Sequence, residues 1–378
     1  MPPAEHNLTP ALLRLWDAGS RGIAAAGRAA PITPAILKNL RAHGCLIEES
    51  LGAGSGGGGA ETSLELLRAG LGCYRDLIQA IAARNSWSIG RKAVVYHRTA
   101  STNDVCWRHA AHASARPAGG GGPGGGPGGE VAIADVQSRG RGRRGNSWSA
   151  RPGQSVLMSI LLRNVSVAGV DRLTLLAGLA AAEALEAVLH ERGGARIGRS
   201  GPHAVQIKWP NDLLLASPHG RTGAHGDAGG ARKVAGILVE RRGPHAVLGI
   251  GVNVAQGPAD FPADISNKAT SLYMYTGQQI DRLRVIVALL EAFNRRCAAI
   301  TDNDAWIAQW KARCPMLGQR ICARELGPRR TPAPRTQKSG PRDIVGLVQD
   351  VDPLHGLLVR DSSGAMHWLA AQTTTLSS

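Results

Sequence analysis

The chain has 378 residues, 43% of them hydrophobic and 19% charged, and a formal net charge of +16. That length can bury a sizeable core in two or three domains. The lack of any run of eighteen apolar residues, or of a basic stretch followed by an apolar one at the start, excludes membrane-spanning and secreted classes as expectations. The cationic excess favours anionic partners without locating them. The six scattered cysteines, with no C-x-x-C pair, argue against a zinc site or a disulfide framework and for a reducing cytoplasm.

In the first fifty residues, "ITPAILKNLRAHGCLIEE" offers Thr33 as an N-cap, Pro34 at the first helical position, apolar Ile36, Leu37 and Leu40, and Gly44 as a stop. A short helix leading into an apolar strand suits part of a small DNA-binding domain, but "SRGIAAAGRAA" upstream makes a poor partner helix, and a full set of elements is not legible. The stretch "GAGSGGGGAETS" then reads as a linker, and "SLELLRAG" and "CYRDLIQAIAAR" as short connecting helices. These divisions place a helical N-terminal segment at 1–51 and connecting elements at 52–91.

A sheet is expected to begin at "KAVVYHRT". It continues through "EVAIADVQ" (130–137), "SVLMSILLR" (155–163), "AVQIKW" (204–209), "DLLLA" (212–216), "KVAGILVE" (233–240) and "AVLGIGVNV" (246–254), with the short last connections predicting an antiparallel meander. Two amphipathic helices cover it: one over 171–190 with Leu173, Leu176, Ala180, Ala184 and Val188 on one face, and one from Asp281 with Leu283, Ile286, Leu290, Phe293, Cys297 and Ile300 in a single stripe. The glycine-rich run at 118–129 and the loop before Lys233 read as insertions; no Gly-Lys-Ser/Thr follows the first, so it is not a phosphate loop. From about Cys314, "GQRICARE", "DIVGLVQDVD", "GLLVRD" and "AMHWLAAQ" alternate with turn residues and predict a small β-barrel, with the basic "LGPRRTPAPRTQKSGPR" as an exposed loop.

The segment "VQSRGRGRRGNSWSA" places Arg139, Arg141, Arg143 and Arg144 among Gly140, Gly142 and Gly145. Guanidiniums do not pack into an apolar core and the glycines disfavour helix and strand, so the stretch reads as a surface loop that attracts negative charge. Strands at both ends make it a lid rather than a tail. In "QIKWPND", alternation sets Lys208 with Gln206 opposite Val205 and Ile207, at a strand end that can face a cleft. Gly236, Gly249 and Gly251 lighten otherwise apolar strands, where a ligand can approach the backbone, and Asn253 ends the last of them.

The ordered set "STN" (101–103), "GRGRRGNSW" (140–148), "KWPNDL" (208–213), "KVAGILVE" (233–240) and "GIGVNV" (249–254) resembles the biotin protein ligases. The resemblance covers roughly residues 92–300. It implies an α+β fold: a central mixed, largely antiparallel sheet packed by helices, like that of class II synthetases, over 92–312. A small C-terminal SH3-like β-barrel over 313–378 and a short helical N-terminal segment, readable as a degenerate winged helix, complete the expected fold.

The activity implied is activation of biotin by ATP to biotinyl-adenylate, followed by transfer to a lysine of a biotin carboxyl carrier protein or of a carboxylase's biotinyl domain. ATP and biotin are then substrates, Mg2+ accompanies the nucleotide, a homodimer is one arrangement, and no membrane is involved. Carried over by motif, Ser101, Thr102, Asn103 and Gln137 line the ring pocket, and Gly140, Arg141, Gly142, Arg143 and Gly236 close on biotin. Arg143, Arg144, Trp148, Asn211, Lys233 and Asn253 meet the nucleotide, and Asp212 is a candidate for placing magnesium. Lys208, bridging carboxylate and α-phosphate, and Arg143 are the expected catalytic residues.

Two alternatives stand beside this reading. One is a nucleic-acid-binding protein or biotin-responsive repressor that uses the N-terminal segment and the arginine loop. The other is a related lipoate-protein ligase.

Overall fold

The computed structural model describes residues 8–18, 23–24, 32–52, 61–114, 129–165, 167–191, 203–215, 230–297, 305–325, 342–352, 355–371 and 373–376. The glycine-rich runs at 53–60 and 118–128, the loop at 216–229, Ile300 and the basic stretch at 326–341 lie outside these residues.

The N-terminal unit runs α1 (Thr9–Ala18), β1 (Ile23–Ala24), α2 (Pro34–Ala42), β2 (Leu46–Gly52) and β3 (Glu61–Arg68), with the strands in the order β1-β3-β2. Thr33 caps α2 by accepting a hydrogen bond from Ile36 N–H at 3.3 Å, and Pro34 opens the helix. The reading of "SLELLRAG" as a helix is corrected here. The segment lies in β3, whose Leu64 and Leu66 alternate inward with a period of two, and β2 pairs with it across residue 52. Helix α1, not foreseen as an element, buries Leu12 and Leu15. Two contacts tie this unit to helices further along the chain: the ion pair Arg84–Asp17 at 2.7 Å, and Asp281, which accepts a hydrogen bond from Ala69 N–H at 2.9 Å.

After α3 (Tyr74–Arg84) come β4 (Lys92–Thr99), α4 (Thr102–Ser114), β5 (Glu130–Gln137), β6 (Ser155–Arg163), α5 (Val167–Glu191), β7 (Val205–Lys208), β8 (Asp212–Leu215), β9 (Arg232–Arg242) and β10 (His245–Asn253). The sheet order is β4-β5-β6-β10-β9-β8-β7; among these described strands only β4 and β5 are parallel, and β10-β9-β8-β7 is the expected meander. Alternation divides the sheet's side chains cleanly. Ile160, Leu162, Leu248 and Ile250 join the main core, which α5 and α7 also build, whereas Leu161 and Val247 face α4 with Val105, Trp107 and Ala110.

Helix α5 is long and apolar enough to cross a membrane by length and composition, yet it is a core helix here. Besides the predicted stripe, Leu175, Leu179, Ala181, Ala182 and Leu185 are also buried, because α5 packs on the sheet on one side and on α7 and α8 on others. The short α6 (Leu272–Thr276) precedes α7 (Arg282–Cys297), whose Leu283, Ile286, Leu290 and Phe293 are buried as the periodicity predicts, and α8 (Ala305–Ala312) follows.

The C-terminal unit is a five-stranded antiparallel sheet of β11 (Arg320–Glu325), β12 (Arg342–Asp352), β13 (Gly356–Asp361), β14 (Met366–Leu369) and β15 (Thr374–Leu376), ordered β14-β13-β12-β11-β15. Ala323, Val348, Val351, Leu357, Val359 and Leu369 make its buried face.

Candidate active site

The face of the sheet that carries α4 becomes a cleft where side chains shrink. Going across β6, β10 and β9, this face presents Leu157 and Ser159, then Gly251 and Gly249, then Gly236 and Leu238, in mutual register. The glycines are required by contact rather than by backbone angle. A Cβ on Gly251 would sit 2.5 Å from Trp148 Cε2, and one on Gly249 would sit 2.4 Å from Asn103 Oδ1.

The start of α4 forms one wall. Ser101, Thr102 and Asn103 are buried, and Gln137 at the end of β5 holds them: its Oε1 accepts from Thr102 N–H at 2.7 Å and from the Thr102 hydroxyl at 3.0 Å. Ser159 Oγ lies 2.6 Å from both Thr102 Oγ1 and Asn103 Oδ1. That fixes the Asn103 amide with its oxygen inward, and its Nδ2 remains a buried donor with no partner among the described residues. A buried unpaired donor costs roughly 1–3 kcal/mol, so this one fits a ligand acceptor. Trp148 Nε1 is a second such donor in the same cleft.

The arginine segment is more ordered than a lid loop was expected to be. It folds into a small hairpin in which Trp148 N–H donates to Gly140 O at 3.0 Å, Gly142 N–H donates to Asn146 O at 2.7 Å, and Arg141 bridges Ser147. Gly140 has no room for a side chain, since a Cβ there would meet Trp148 O at 2.2 Å. Arg141 makes a two-pronged pair with Asp104, at 2.8 and 3.0 Å. Arg143 donates to Asn211 Oδ1 at 3.3 Å and to the Ala371 carbonyl, and Arg144, held at φ +58, donates to the Thr375 hydroxyl, so the hairpin rests against the C-terminal sheet. Burial, and next the charge of Arg144, lower the Arg143 pKa, with Asp212 opposing. A guanidinium in that position is under-compensated and well suited to an anion.

The far wall corrects the expectation for lysine. Lys208 lies opposite Asp212 on the edge strand β7, two strands and roughly 10 Å from β9, and is not among the residues lining the cleft. The ammonium in the cleft belongs to Lys233. Strict alternation would turn it away from Gly236, but the register slips on β9 at Val234, so Leu213 pairs with Ala235 and Leu214 with Lys233. The bulge brings the lysine back to the cleft face, 2.7 Å from Asp212 Oδ1 and 5.5 Å from the centre of the Trp148 ring.

Asn253 is likewise displaced from its expected role. It is buried, donating to Thr270 O at 3.0 Å and accepting from Gln256 Nε2 at 3.1 Å, outside the cleft lining. Gly140 and Arg144 border an adjoining groove that the hairpin forms with Leu238 and Glu240. Asn211 does line the cleft, its Nδ2 donating to Ile237 O at 2.8 Å.

Sequence reasoning missed Asp104, Glu240 and Ser159. A lone serine inside the apolar run "SVLMSILLR" was the available signal for the last.

The class to which this fold and cleft belong is that of the biotin/lipoate A/B protein ligase family, whose model matches residues 126–254. The biotin–[acetyl-CoA-carboxylase] ligase of Mycobacterium tuberculosis is 32% identical over 290 residues, 76% of this chain and 88% of that protein. The chain belongs to the biotin protein ligase family. The bifunctional ligase/repressor BirA of Bacillus subtilis is 34% identical over 174 residues, 44% of this chain, and the chain spans 46% of that relative's length. The biotin protein ligase of Aquifex aeolicus, solved in complex with biotin and ATP, shares the fold at a TM-score of 0.54, with 21% identity over 76% of this chain and 99% of that one.

Proposed function

We propose that this protein condenses biotin with ATP to biotinyl-adenylate and pyrophosphate, then transfers the biotinyl group to a lysine of a biotin carboxyl carrier domain, acting in the cytoplasm. The observation that carries this reading is one cleft holding both an unpartnered neutral donor, Asn103 Nδ2, and an ammonium, Lys233, beneath an arginine hairpin. Neutral donors and acceptors on Ser101, Thr102, Asn103 and Gln137 suit an uncharged ureido ring, and the apolar and glycine floor suits a ring and short chain. The cations suit a carboxylate meeting a polyphosphate.

In the first step a biotin carboxylate oxygen attacks the α-phosphorus and pyrophosphate leaves. Two like charges about 4 Å apart repel by roughly 1 kcal/mol in water and several times that in a drier site, so a cation between them is needed as they approach. Lys233, rather than Lys208, serves as that bridge. Arg143 takes the phosphates, Trp148 stacks near the adenine, and Asn211 secures Arg143. In the second step the carrier's lysine amine attacks the acyl carbon and AMP leaves.

Magnesium fits as an ion arriving on the nucleotide. Asp212 is the carboxylate lining the cleft beside Lys233, and one carboxylate plus phosphate oxygens is an ordinary Mg2+ environment. When bound, the ion neutralises phosphate charge.

The test is biotin-dependent exchange of pyrophosphate into ATP by the full chain, followed by labelling of a carrier domain. Exchange driven by lipoate instead of biotin, or none at all, refutes the proposal.

The repressor alternative draws on α2 and the β2–β3 hairpin, but Glu48 and Glu49 are exposed on that hairpin and Arg41 of α2 is paired with Glu49. Both weaken the phosphate attraction on which DNA affinity depends, so the ligase reading stands as the conclusion.

A further inference from the structure

The three arginines of the hairpin are held differently. Arg143 and Arg144 reach a carbonyl, a carboxamide and a hydroxyl, whereas Arg141 is gripped by two carboxylates. Its Nη2 and Nη1 donate to the two oxygens of Asp104 at 2.8 and 3.0 Å, and its Nε lies 3.4 Å from Glu240 Oε1. The other oxygen of Glu240 accepts from the Trp107 indole N–H at 2.9 Å, so Glu240 is itself fixed. Fork-to-fork pairing of this kind sets orientation as well as energy.

The positions of the two carboxylates give the clasp its meaning. Asp104 follows Ser101, Thr102 and Asn103 in the first turn of α4, and Glu240 shares β9 and its cleft face with Gly236, downstream of Lys233. The root of the hairpin is therefore tied to the element that walls the ring pocket and to the strand that carries the cleft ammonium.

Resting on the ligase reading, we propose that Asp104 and Glu240 are positioning residues: an acidic clasp that immobilises Arg141 at the hairpin root and thereby aims Arg143 into the cleft. The Arg141 guanidinium then acts as an anchor, and motion of the hairpin is confined to 142–146.

The test uses the full chain and the variants Asp104→Asn, Glu240→Gln, the pair together, and Arg141→Lys, which keeps the charge but loses the fork. In the first arm the ligand-free protein is digested briefly with trypsin, and nicking after Arg139, Arg141, Arg143 and Arg144 is followed by mass spectrometry alongside the thermal midpoint. The double variant is expected to be nicked at least tenfold faster than the parent, with a midpoint within a few degrees of it, and Arg141→Lys is expected to behave likewise. Nicking at the parental rate overturns the proposal, and so does acceleration at Arg sites throughout the chain in parallel with a collapsed midpoint.

The second arm measures the fraction of biotinyl-adenylate released to solution per AMP formed, expected to rise about tenfold in the double variant. A packing defect lowers total turnover and leaves this partition unchanged, and an unchanged partition overturns the proposal. If the parent makes no adenylate, the ligase reading fails while the trypsin arm still decides the clasp.

Discussion

Gly249→Ala tests the tightest approach in the cleft. The new Cβ would fall 2.4 Å from Asn103 Oδ1 and 3.2 Å from both Cγ and Nδ2 of the same side chain. Neither backbone can yield easily: β10 is hydrogen-bonded to β6 and β9 along both edges, and α4 packs against β6 and β10. Asn103 must therefore rotate out of contact with Ser159, 2.6 Å away. Overpacking of this kind costs about 1–3 kcal/mol, and losing a buried hydrogen bond costs roughly 1 kcal/mol more. A stability loss of about 2–4 kcal/mol is thus expected in urea titrations. Biotin affinity should fall about tenfold or more by calorimetry, because the unpartnered Asn103 Nδ2 donor is displaced from the cleft.

The decisive measurement is the double variant with Asn103→Ser, whose shorter side chain clears the methyl. It should recover about 1–2 kcal/mol of stability relative to the sum of the single changes while binding biotin no better. Additive stability losses would show that the methyl and Asn103 do not meet, and the described geometry would be wrong.

Three further outcomes are expected. Gln137→Leu removes the acceptor for two Thr102 donors, so stability should drop by about 1–3 kcal/mol and biotin affinity should fall with it; a neutral effect on both would mean that Thr102 is held by something else. Lys233→Met should reduce pyrophosphate exchange about 10²–10³-fold, the scale of losing a charge-stabilising group, and Lys208→Met less than tenfold; the reverse ranking would return the catalytic role to Lys208. Asp104 is held below the usual carboxylate range by its hydrogen bond from Arg141, with burial opposing. A lowered folded pKa contributes stability above the unfolded value of about 4 and loses it as pH falls through the folded value. The stability gap between parent and Asp104→Asn should accordingly be full at pH 7 and shrink progressively below about pH 4, and a gap unchanged across that range in urea titrations would rule out the ion pair as its source.

Most of the sheet was legible because its strands are apolar runs bounded by turn residues. "KAVVYHRT", "EVAIADVQ" and "SVLMSILLR" coincide with β4, β5 and β6 residue for residue. The misreading of β3 shows the limit: "SLELLRAG" has residues of good helical propensity, and only its partner β2, across a glycine run, decides for strand. The motifs marked the cleft, and Ser101, Thr102, Asn103, Gln137, Arg143, Trp148, Asn211, Lys233 and Gly236 do gather there. Which of two lysines faces it was not legible, because facing depends on a one-residue bulge at Val234 that alternation cannot foresee. Asp104 and Glu240 were hidden for another reason. Each is an ordinary carboxylate in its own segment, and only the crossover of α4 and the length of β9 bring them to one guanidinium.

The lone parallel pair among the sheet's described strands also governs where the chain can lengthen. Antiparallel neighbours can be joined by a tight turn, but β4 and β5 run the same way, so the path between them must travel back along the sheet, and α4 makes that journey. Its first turn accordingly stands beside the ends of both strands, where Thr99 and Gln137 are opposite each other and the cleft opens. Its last turn lies at the other end of the sheet, and the glycine-rich insertion enters the sequence between that turn and Glu130. Because closure entropy grows only with the logarithm of loop length, the sequence between the end of α4 and the start of β5 can lengthen at small cost while Thr99 and Gln137 keep their pairing at the cleft end of the two strands.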